Sequence, residues 1–294
     1  MTIRPHVALA TYENAPRLAP DDRGLIPALS RAGIDATVTV WSRDREWHLF
    51  DAVVIRSCWD YHRRVGEFLS WLDRLATHRI PTWNSRELIG WNADKRYLLD
   101  LARAGVATVP TIILSRASVN DVVEAAASTG WSRFVVKPSV SASGYETHAL
   151  TTPLTDESRF LIARAVTVGD VLVQPFVDEV EREGEYSFTF IDGQPSHAAI
   201  KRAADGEFRV QTEYGGTVTR VDAPAHLLRQ AASALAALPE TPLYARVDGV
   251  SRGETLVVTE LELIEPNLFL DHAPGATDRL ASAIAERLTR RASG

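Results

Sequence analysis

The sequence predicts a chain of mixed class: an N-terminal α/β unit followed by two mixed α+β units. Three observations predict it. Over residues 1 to about 92, short apolar runs alternate with segments of helical period, the pattern of parallel βαβ units. Beyond that point the apolar runs pair around hairpin-type turns, an antiparallel pattern. At 294 residues, the chain is too long for one ordinary core and suits two or three. The expected divisions are 1–92, 93–180 and 181–294.

Taken in order, His6 to Thr11 (HVALAT) reads as a buried strand, and Arg23 to Ala32 as a helix that Gly33 suits to end. Ala36 to Trp41 and Asp51 to Ile55 are the next strands. Arg64 to Arg79 has Phe68, Leu69, Trp71, Leu72 and Leu75 at helical period. Asp94 to Ala104 reads as a short helix ending at Gly105. Strands are expected over Thr111–Leu114, Phe134–Lys137, Val171–Phe176, Tyr186–Ile191 and His197–Lys201, with Asp192-Gly193 as the hairpin turn between the last two. Ala225–Leu238 is a helix, Leu243–Val247 and Leu256–Ile264 are strands, and Thr277–Arg291 is a closing amphipathic helix.

Hydrophobic residues make up 45% and charged residues 24%, as in ordinary globular proteins. The net charge of -6 argues against nucleic acid or a membrane surface as partner. Cys58 is the sole cysteine, so no internal disulfide forms. Met1 to Leu9 has no signal-type apolar core, and no apolar run approaches the roughly 20 residues of a membrane span. Cytoplasm is the expected compartment.

Several segments carry chemistry. Lys95 begins a helix. Lys137 ends an apolar strand and precedes the small-residue loop Ser139-Val140-Ser141-Ala142-Ser143-Gly144, whose backbone can approach phosphate oxygens closely. No Walker P-loop is present. Val171 to Val177 (VLVQPFV) is an apolar strand running into an extended segment that can offer backbone groups to an adenine edge. Asp178, Glu179, Glu181, Glu183 and Glu185 follow, and one of them is positioned for ribose hydroxyls. Lys201, Arg202 and Arg209 precede Gly215-Gly216, the makings of a mobile lid over polyphosphate. Arg246-Val247-Asp248 precedes the acidic run Glu260 to Asn267 (ELELIEPN). Carboxylates at the ends of neighbouring strands can share hard cations. Side chains at i and i+2 share a strand face, so Glu265 and Asn267 form one ligand pair with Asp248, and Glu260 and Glu262 a competing pair.

In this order, the pieces resemble the ATP-grasp superfamily, including D-alanine–D-alanine ligase, bacterial glutathione synthetase and the glutamate ligases that tail ribosomal proteins. The resemblance covers essentially the whole chain and implies an ATP-grasp fold whose two α+β units clamp ATP. It implies that Lys95, Lys137, Ser143 and Gly144 hold the ATP phosphates, that Gln174, Pro175, Phe176 and Val177 form the adenine hinge, and that Glu181 binds ribose. It implies Lys201, Arg209 and Arg246 as catalytic cations, and Asp248, Glu265 and Asn267 as ligands of Mg²⁺, two ions in number. Arg56-Ser57-Cys58-Trp59-Asp60-Tyr61, Trp91 to Lys95 and Leu263 to Pro266 are similar to the D-cycloserine-forming branch, the O-ureido-D-serine cyclo-ligases. That branch implies antibiotic biosynthesis and a small amino-acid substrate, with a homodimer as a possible assembly. Arg56, Trp59 and Tyr61, at the end of the third strand, are the expected substrate contacts, since loops there face the ligand crevice of an open α/β sheet.

The implied reaction activates a carboxylate as an acyl phosphate for attack by nitrogen, within one molecule or between two. A peptide- or glutamate-adding ligase is the alternative, and a non-catalytic ATP sensor is a rival of another class. A dehydrogenase is excluded, because Ala10 to Ala15 lacks the glycine fingerprint after the first strand. Cys58 reads as a buried structural thiol.

Overall fold

The computed structural model describes residues 4–43 and 45–292. The N-terminal part contains β1 (His6–Thr11), α1 (Leu25–Arg31), β2 (Asp35–Val40), β3 (Ala52–Ser57), α2 (Val65–Thr77) and β4 (Thr82–Trp83). These strands form a parallel sheet in the order β2-β1-β3-β4. Every residue of β3 is buried, as a strand covered on both faces must be, which is why it reads as a continuous apolar run. α2 turns Phe68, Trp71, Leu72 and Leu75 inward against it.

The expected helix at Asp94–Ala104 is α4 (Tyr97–Arg103), and a further helix that the sequence reading did not include, α3 (Arg86–Asn92), precedes it. The Ser85 hydroxyl caps α3 by accepting from the Leu88 amide at 3.1 Å. A second sheet follows: β5 (Ile112–Leu114), then α5 (Val119–Thr129), β6 (Arg133–Pro138), β7 (His148–Thr151), α6 (Asp156–Val168) and β8 (Val171–Pro175). It is antiparallel, in the order β5-β8-β6-β7. α5 and α6 pack Val122, Ala126, Ile162 and Ala165 onto it.

After the short α7 (Asp178–Arg182) come β9 (Glu185–Ile191), β10 (Gln194–Arg202), β11 (Thr217–Val221), α8 (Ala225–Ala236), β12 (Tyr244–Arg252), β13 (Thr255–Glu262) and α9 (Ala276–Ala292). This third sheet is antiparallel, in the order β11-β10-β9-β12-β13. Asp192 and Gly193 turn β9 into β10 with φ of 48° and 73°, the left-handed pair that a two-residue hairpin needs.

The chain then returns to its start. α9 and the segment before it bring Leu268, Leu270, Leu280 and Ile284 into the core of β1 and α1. Buried polar latches tie the third sheet to the preceding segments. The Asn84 amide donates to the Tyr244 and Leu263 carbonyls at 2.9 and 2.6 Å and accepts from the Leu243 amide at 2.7 Å. Asn92 donates to the Leu261 carbonyl at 2.8 Å and accepts from the Leu263 amide at 2.9 Å. Both side chains satisfy backbone groups beyond the reach of the ladder, which fixes the end of β13 where the charged residues lie.

Candidate active site

Pairing in the third sheet puts one set of charges on one face. Arg246 faces Glu262 and Asp248 faces Glu260 across β12 and β13. Asp248 also faces Ser187 on β9, and Lys201 on β10 faces Glu185. Cross-strand partners and i, i+2 neighbours share a face, so all of these side chains converge. Lys201 Nζ lies 2.7 Å from both Asp248 Oδ2 and Glu185 Oε2. Arg246 Nη2 donates to Asp248 at 2.9 Å and also to Glu262. Burial pushes the Asp248 carboxyl up, but Arg246 and Lys201 outweigh it and hold the group well below the usual carboxylate range.

Asp248, Glu260 and Glu262 each offer an oxygen within 4.8 Å of the others. Burial, then repulsion from Asp248 and Glu260, outweighs Arg246 at Glu262 and raises its pKa to about 7. A carboxyl so raised marks a cluster short of positive charge. An all-oxygen donor set of this kind fits a hard divalent cation.

The second sheet forms the opposite wall. Lys137 at the end of β6 is pushed below the usual lysine range by burial, with Glu260 opposing and Lys95 reinforcing. Among the described residues it makes no hydrogen bond or ion pair, unlike the other cations of the cleft. Lys95 donates to the Ser141 carbonyl at 2.5 Å and pairs with Glu260 at 2.9 Å. The loop after β6 turns through Ser143 and Gly144 with φ of 50° and 67°. Both residues line the cleft, and their amides donate to no group among the described residues, so they are available to an anion. The hinge lies alongside. Gln174 donates to Thr111 Oγ1 at 2.8 Å, and the Phe176 ring has the Arg133 guanidinium over it at 3.4 Å and the Phe208 ring 6.0 Å away. Val109, Val135, Val177 and Val180 complete an apolar slot beside it. The cleft has a volume of about 270 Å³.

Residues 203–216 cross over this space. Arg209 pairs with Glu207 at 2.7 Å and lies 3.6 Å from the Tyr214 ring. The Tyr214 hydroxyl donates to the Ser143 carbonyl at 3.3 Å, which brings the lid down on the phosphate-side loop.

Three sequence expectations are corrected. Arg56 does not reach the cleft: it is buried against Asp22 (2.9 Å), the Pro266 carbonyl (2.8 Å) and the Tyr244 ring (4.8 Å). As part of a strand covered on both faces, its side chain has only the interior to enter. Glu181 is held bidentately by Arg133 at 2.9 and 2.7 Å, outside the cleft. Of the five acids after the hinge, Glu185 is the one that lines it, because it starts β9 whereas the others ride on or just after α7. The carboxylates gathered with Asp248 are Glu260 and Glu262, not Glu265 and Asn267. β13 ends at Glu262, so strand alternation does not extend to Glu265. Glu265 and Asn267 still border the cleft. Asn267 Oδ1 accepts from the Phe269 amide at 3.0 Å. Burial, then Glu262, pushes the Glu265 carboxyl well above its usual range.

Lys95, Lys137, Ser143, Gly144, Gln174 to Val177, Lys201, Arg209 and Arg246 all line the cleft, as do Trp59 and Tyr61. Cys58 is fully buried, and burial pushes its thiol well up, so it stays protonated and inert.

A clamp of two antiparallel sheets, with lysines on one wall and a carboxylate cluster on the other, defines an ATP-grasp ligase. The same architecture occurs at TM-score 0.71 in D-alanine–D-alanine ligase from Bacillus anthracis, which is 18% identical and aligned over 100% of both chains. Residues 7–84 match the family model described as D-cycloserine synthetase DcsG, N-terminal domain. The cycloserine biosynthesis protein DcsG of Streptomyces lavendulae is 35% identical over 281 residues, 90% of this chain and 92% of that one. The crystal structure of D-cycloserine synthetase DcsG superposes with TM-score 0.87 at 33% identity, covering 96% of this chain and 99% of the other. The chain belongs to the DcsG family of ATP-grasp ligases.

Proposed function

We propose that this chain is an ATP- and Mg²⁺-dependent cyclo-ligase that closes O-ureido-D-serine to D-cycloserine. The observation that carries the chemistry is the half-buried, unpaired Lys137 facing the Asp248, Glu260 and Glu262 cluster across one cleft. Such a pairing suits a polyanion bridged to divalent cations. Membership of the DcsG family supports the choice of substrate.

Lys95, Lys137 and the amides of Ser143 and Gly144 would hold the phosphates, with the adenine in the slot beside Phe176 and Val177. Asp248, Glu260 and Glu262 would hold Mg²⁺, with Glu265 and Asn267 at its margin. When bound, the metal would neutralise charge on the phosphates. Catalysis of this kind is mostly positioning and charge stabilisation. The substrate carboxylate would attack the γ-phosphorus. Arg246 and Lys201 would steady negative charge as the oxygen-bound ureido nitrogen attacks the resulting acyl phosphate and expels phosphate; the carbamoyl group would then leave that nitrogen with one water, as carbon dioxide and ammonia. The lid, anchored by the Tyr214 contact to Ser143, would keep water from that intermediate. The N-terminal unit, 1–92, would supply Trp59 and Tyr61 to the substrate, while 93–180 and 181–294 clamp the nucleotide.

The test is ADP release across a panel of small amino acids, with and without Mg²⁺. Release that requires Mg²⁺ and O-ureido-D-serine alone is expected. ATP binding with no release for any carboxylate would mean a nucleotide-binding protein without turnover.

A further inference from the structure

Beside the nucleotide cleft lies a second cavity of about 260 Å³. At ~30 Å³ per water it holds the volume of about nine waters, the scale of a free amino acid rather than a peptide. Trp59, Ala142, Ser143 and Glu213 border both spaces, so the two adjoin at the phosphate-side loop and the lid. Three parts of the chain wall the cavity: the ends of β1 and β3, the small-residue loop, and the lid through Glu213 and Tyr214.

Its inner wall holds His62, in the 3₁₀ turn that follows β3. His62 is 9% exposed, and neither ring nitrogen makes a well-formed hydrogen bond. A buried imidazole left this way ordinarily costs stability. Its ring contacts are Tyr61 at 6.1 Å and Tyr145 at 5.2 Å, and the Trp59 backbone approaches the ring closely enough to oppose the lowering of its pKa. Asp60, also on the wall, is already committed to Trp41 at 2.8 Å and Arg64 at 2.7 Å. Asn14, on the rim, makes no side-chain hydrogen bond among the described residues. The cavity therefore presents an uncharged imidazole and an uncharged amide, with Arg63, 5.4 Å from the Tyr145 ring, and Glu213 as further charged groups of its wall. Burial foremost, then Arg63 and Lys95, lowers the His62 pKa to about 4, so the ring is neutral at physiological pH.

We propose that this cavity receives the uncharged urea-type end of the substrate, and that His62 is the specificity-determining residue that hydrogen-bonds it. The inference rests on the cyclo-ligase reading above. A neutral imidazole offers one donor and one acceptor, which matches a carbonyl flanked by N–H groups. The substrate carboxylate then lies on the far side of Trp59, toward Arg246. Lid closure completes the cavity wall, so amino-acid binding and nucleotide enclosure are coupled.

The experiment is steady-state kinetics with O-ureido-D-serine, comparing wild type with His62→Leu, His62→Gln and the rim variant Asn14→Ala. His62→Leu is expected to raise the O-ureido-D-serine KM about tenfold and leave the ATP KM within about twofold. His62→Gln, which keeps a donor and an acceptor, recovers part of the loss. D-serine, which shares the ammonium and carboxylate but lacks the urea, serves as a competing inhibitor. Its Ki should stay within about twofold in every variant, because it does not reach His62. If His62→Leu does not fold, Asn14→Ala decides, with an expected rise of about threefold in the organic-substrate KM alone. An unchanged KM in the variants, or equal weakening of D-serine and ATP, overturns the role of His62. A wild-type enzyme that does not turn over O-ureido-D-serine at all overturns the cyclo-ligase reading instead.

Discussion

Lys137 and Arg56 are both cations near the ends of apolar strands, and the structure gives them opposite roles. Lys137 is desolvated without a partner, which disfavours its charged form in the absence of ligand. Its pKa is lowered, so its charge opposes folding below the unfolded-state pKa. Removing the charge should therefore not cost stability. Lys137→Met is expected to keep or raise Tm while weakening ATP binding by about 1.5–3 kcal/mol, the worth of a charged hydrogen bond. Calorimetry and a thermal melt on one sample check both halves. Arg56 is the reverse case, buried and paired with Asp22 at 2.9 Å. Arg56→Met leaves that carboxylate uncompensated and should lower unfolding stability by about 3–5 kcal/mol. Adding Asp22→Leu should restore a large part of it. Urea unfolding of the single and double variants checks this, and a stable single variant with a raised substrate KM would return Arg56 to the substrate site. The sequence distinguishes the two poorly, because both end an apolar run. What separates them is Asp22, 34 residues away from Arg56, and no local pattern announces that pair.

At the scale of elements, the strands that carry the site were legible and their phase was not. β1, β3, β6, β8, β9 and β12 fall where apolar runs place them, because each is covered on at least one face. The acidic run at Glu260 to Asn267 is different, since burial there follows charge pairing instead of hydrophobicity. Its phase depends on where β13 stops, and the Asn84 and Asn92 latches around Leu261 and Leu263 set that point from far along the chain. The acid that reaches the cleft follows the same logic. Five acids in a row look alike until α7 lifts Glu181 to Arg133 and β9 turns Glu185 into the cleft. Glu185→Gln should raise the ATP KM roughly tenfold, about one charge-assisted hydrogen bond, and Glu181→Gln should leave it unchanged. The reverse ranking would restore Glu181. α5 and α6 escaped the sequence reading because their apolar faces are narrow and rich in alanine, although Ser118 and Thr155 cap them. In the lid, a Cβ on Gly216 would lie 2.2 Å from the Val210 carbonyl oxygen and 3.0 Å from that of Gln211. Both obstacles are backbone, so the turn must open to admit one. Gly216→Ala should lower kcat about tenfold and shift Tm by no more than about 2 °C, because lid segments contribute little to global stability. An unchanged kcat would separate this turn from closure.

For the whole molecule, the order of units was readable because each has its own strand pattern: parallel first, then antiparallel twice. The closing return of α9 onto α1 was not, since an amphipathic helix does not name the surface it covers. The consequence for function is that one cleft draws residues from all three sheets. Trp59 comes from the first, Lys137 and the hinge from the second, and Lys201, Arg246 and the carboxylates from the third. Among the described residues, no helix is long and apolar enough to cross a membrane. Ligand binding in such a cleft should tighten the molecule as a unit. A non-hydrolysable ATP analogue with Mg²⁺ at 100 times its Kd should raise unfolding stability by about 2.7 kcal/mol.

An active site that closes a ring within a single small molecule makes a product lighter than its substrate, so the product mass is decisive. Purified protein is given ATP, Mg²⁺ and O-ureido-D-serine as the sole organic substrate, and the reaction is followed by mass spectrometry alongside ADP release. ADP formation is expected with a product of lower mass than the substrate, matching D-cycloserine, and with no requirement for an added amine. A product heavier than the substrate, formed only when a second amine is supplied, would contradict ring closure and leave an intermolecular ATP-grasp ligase in its place.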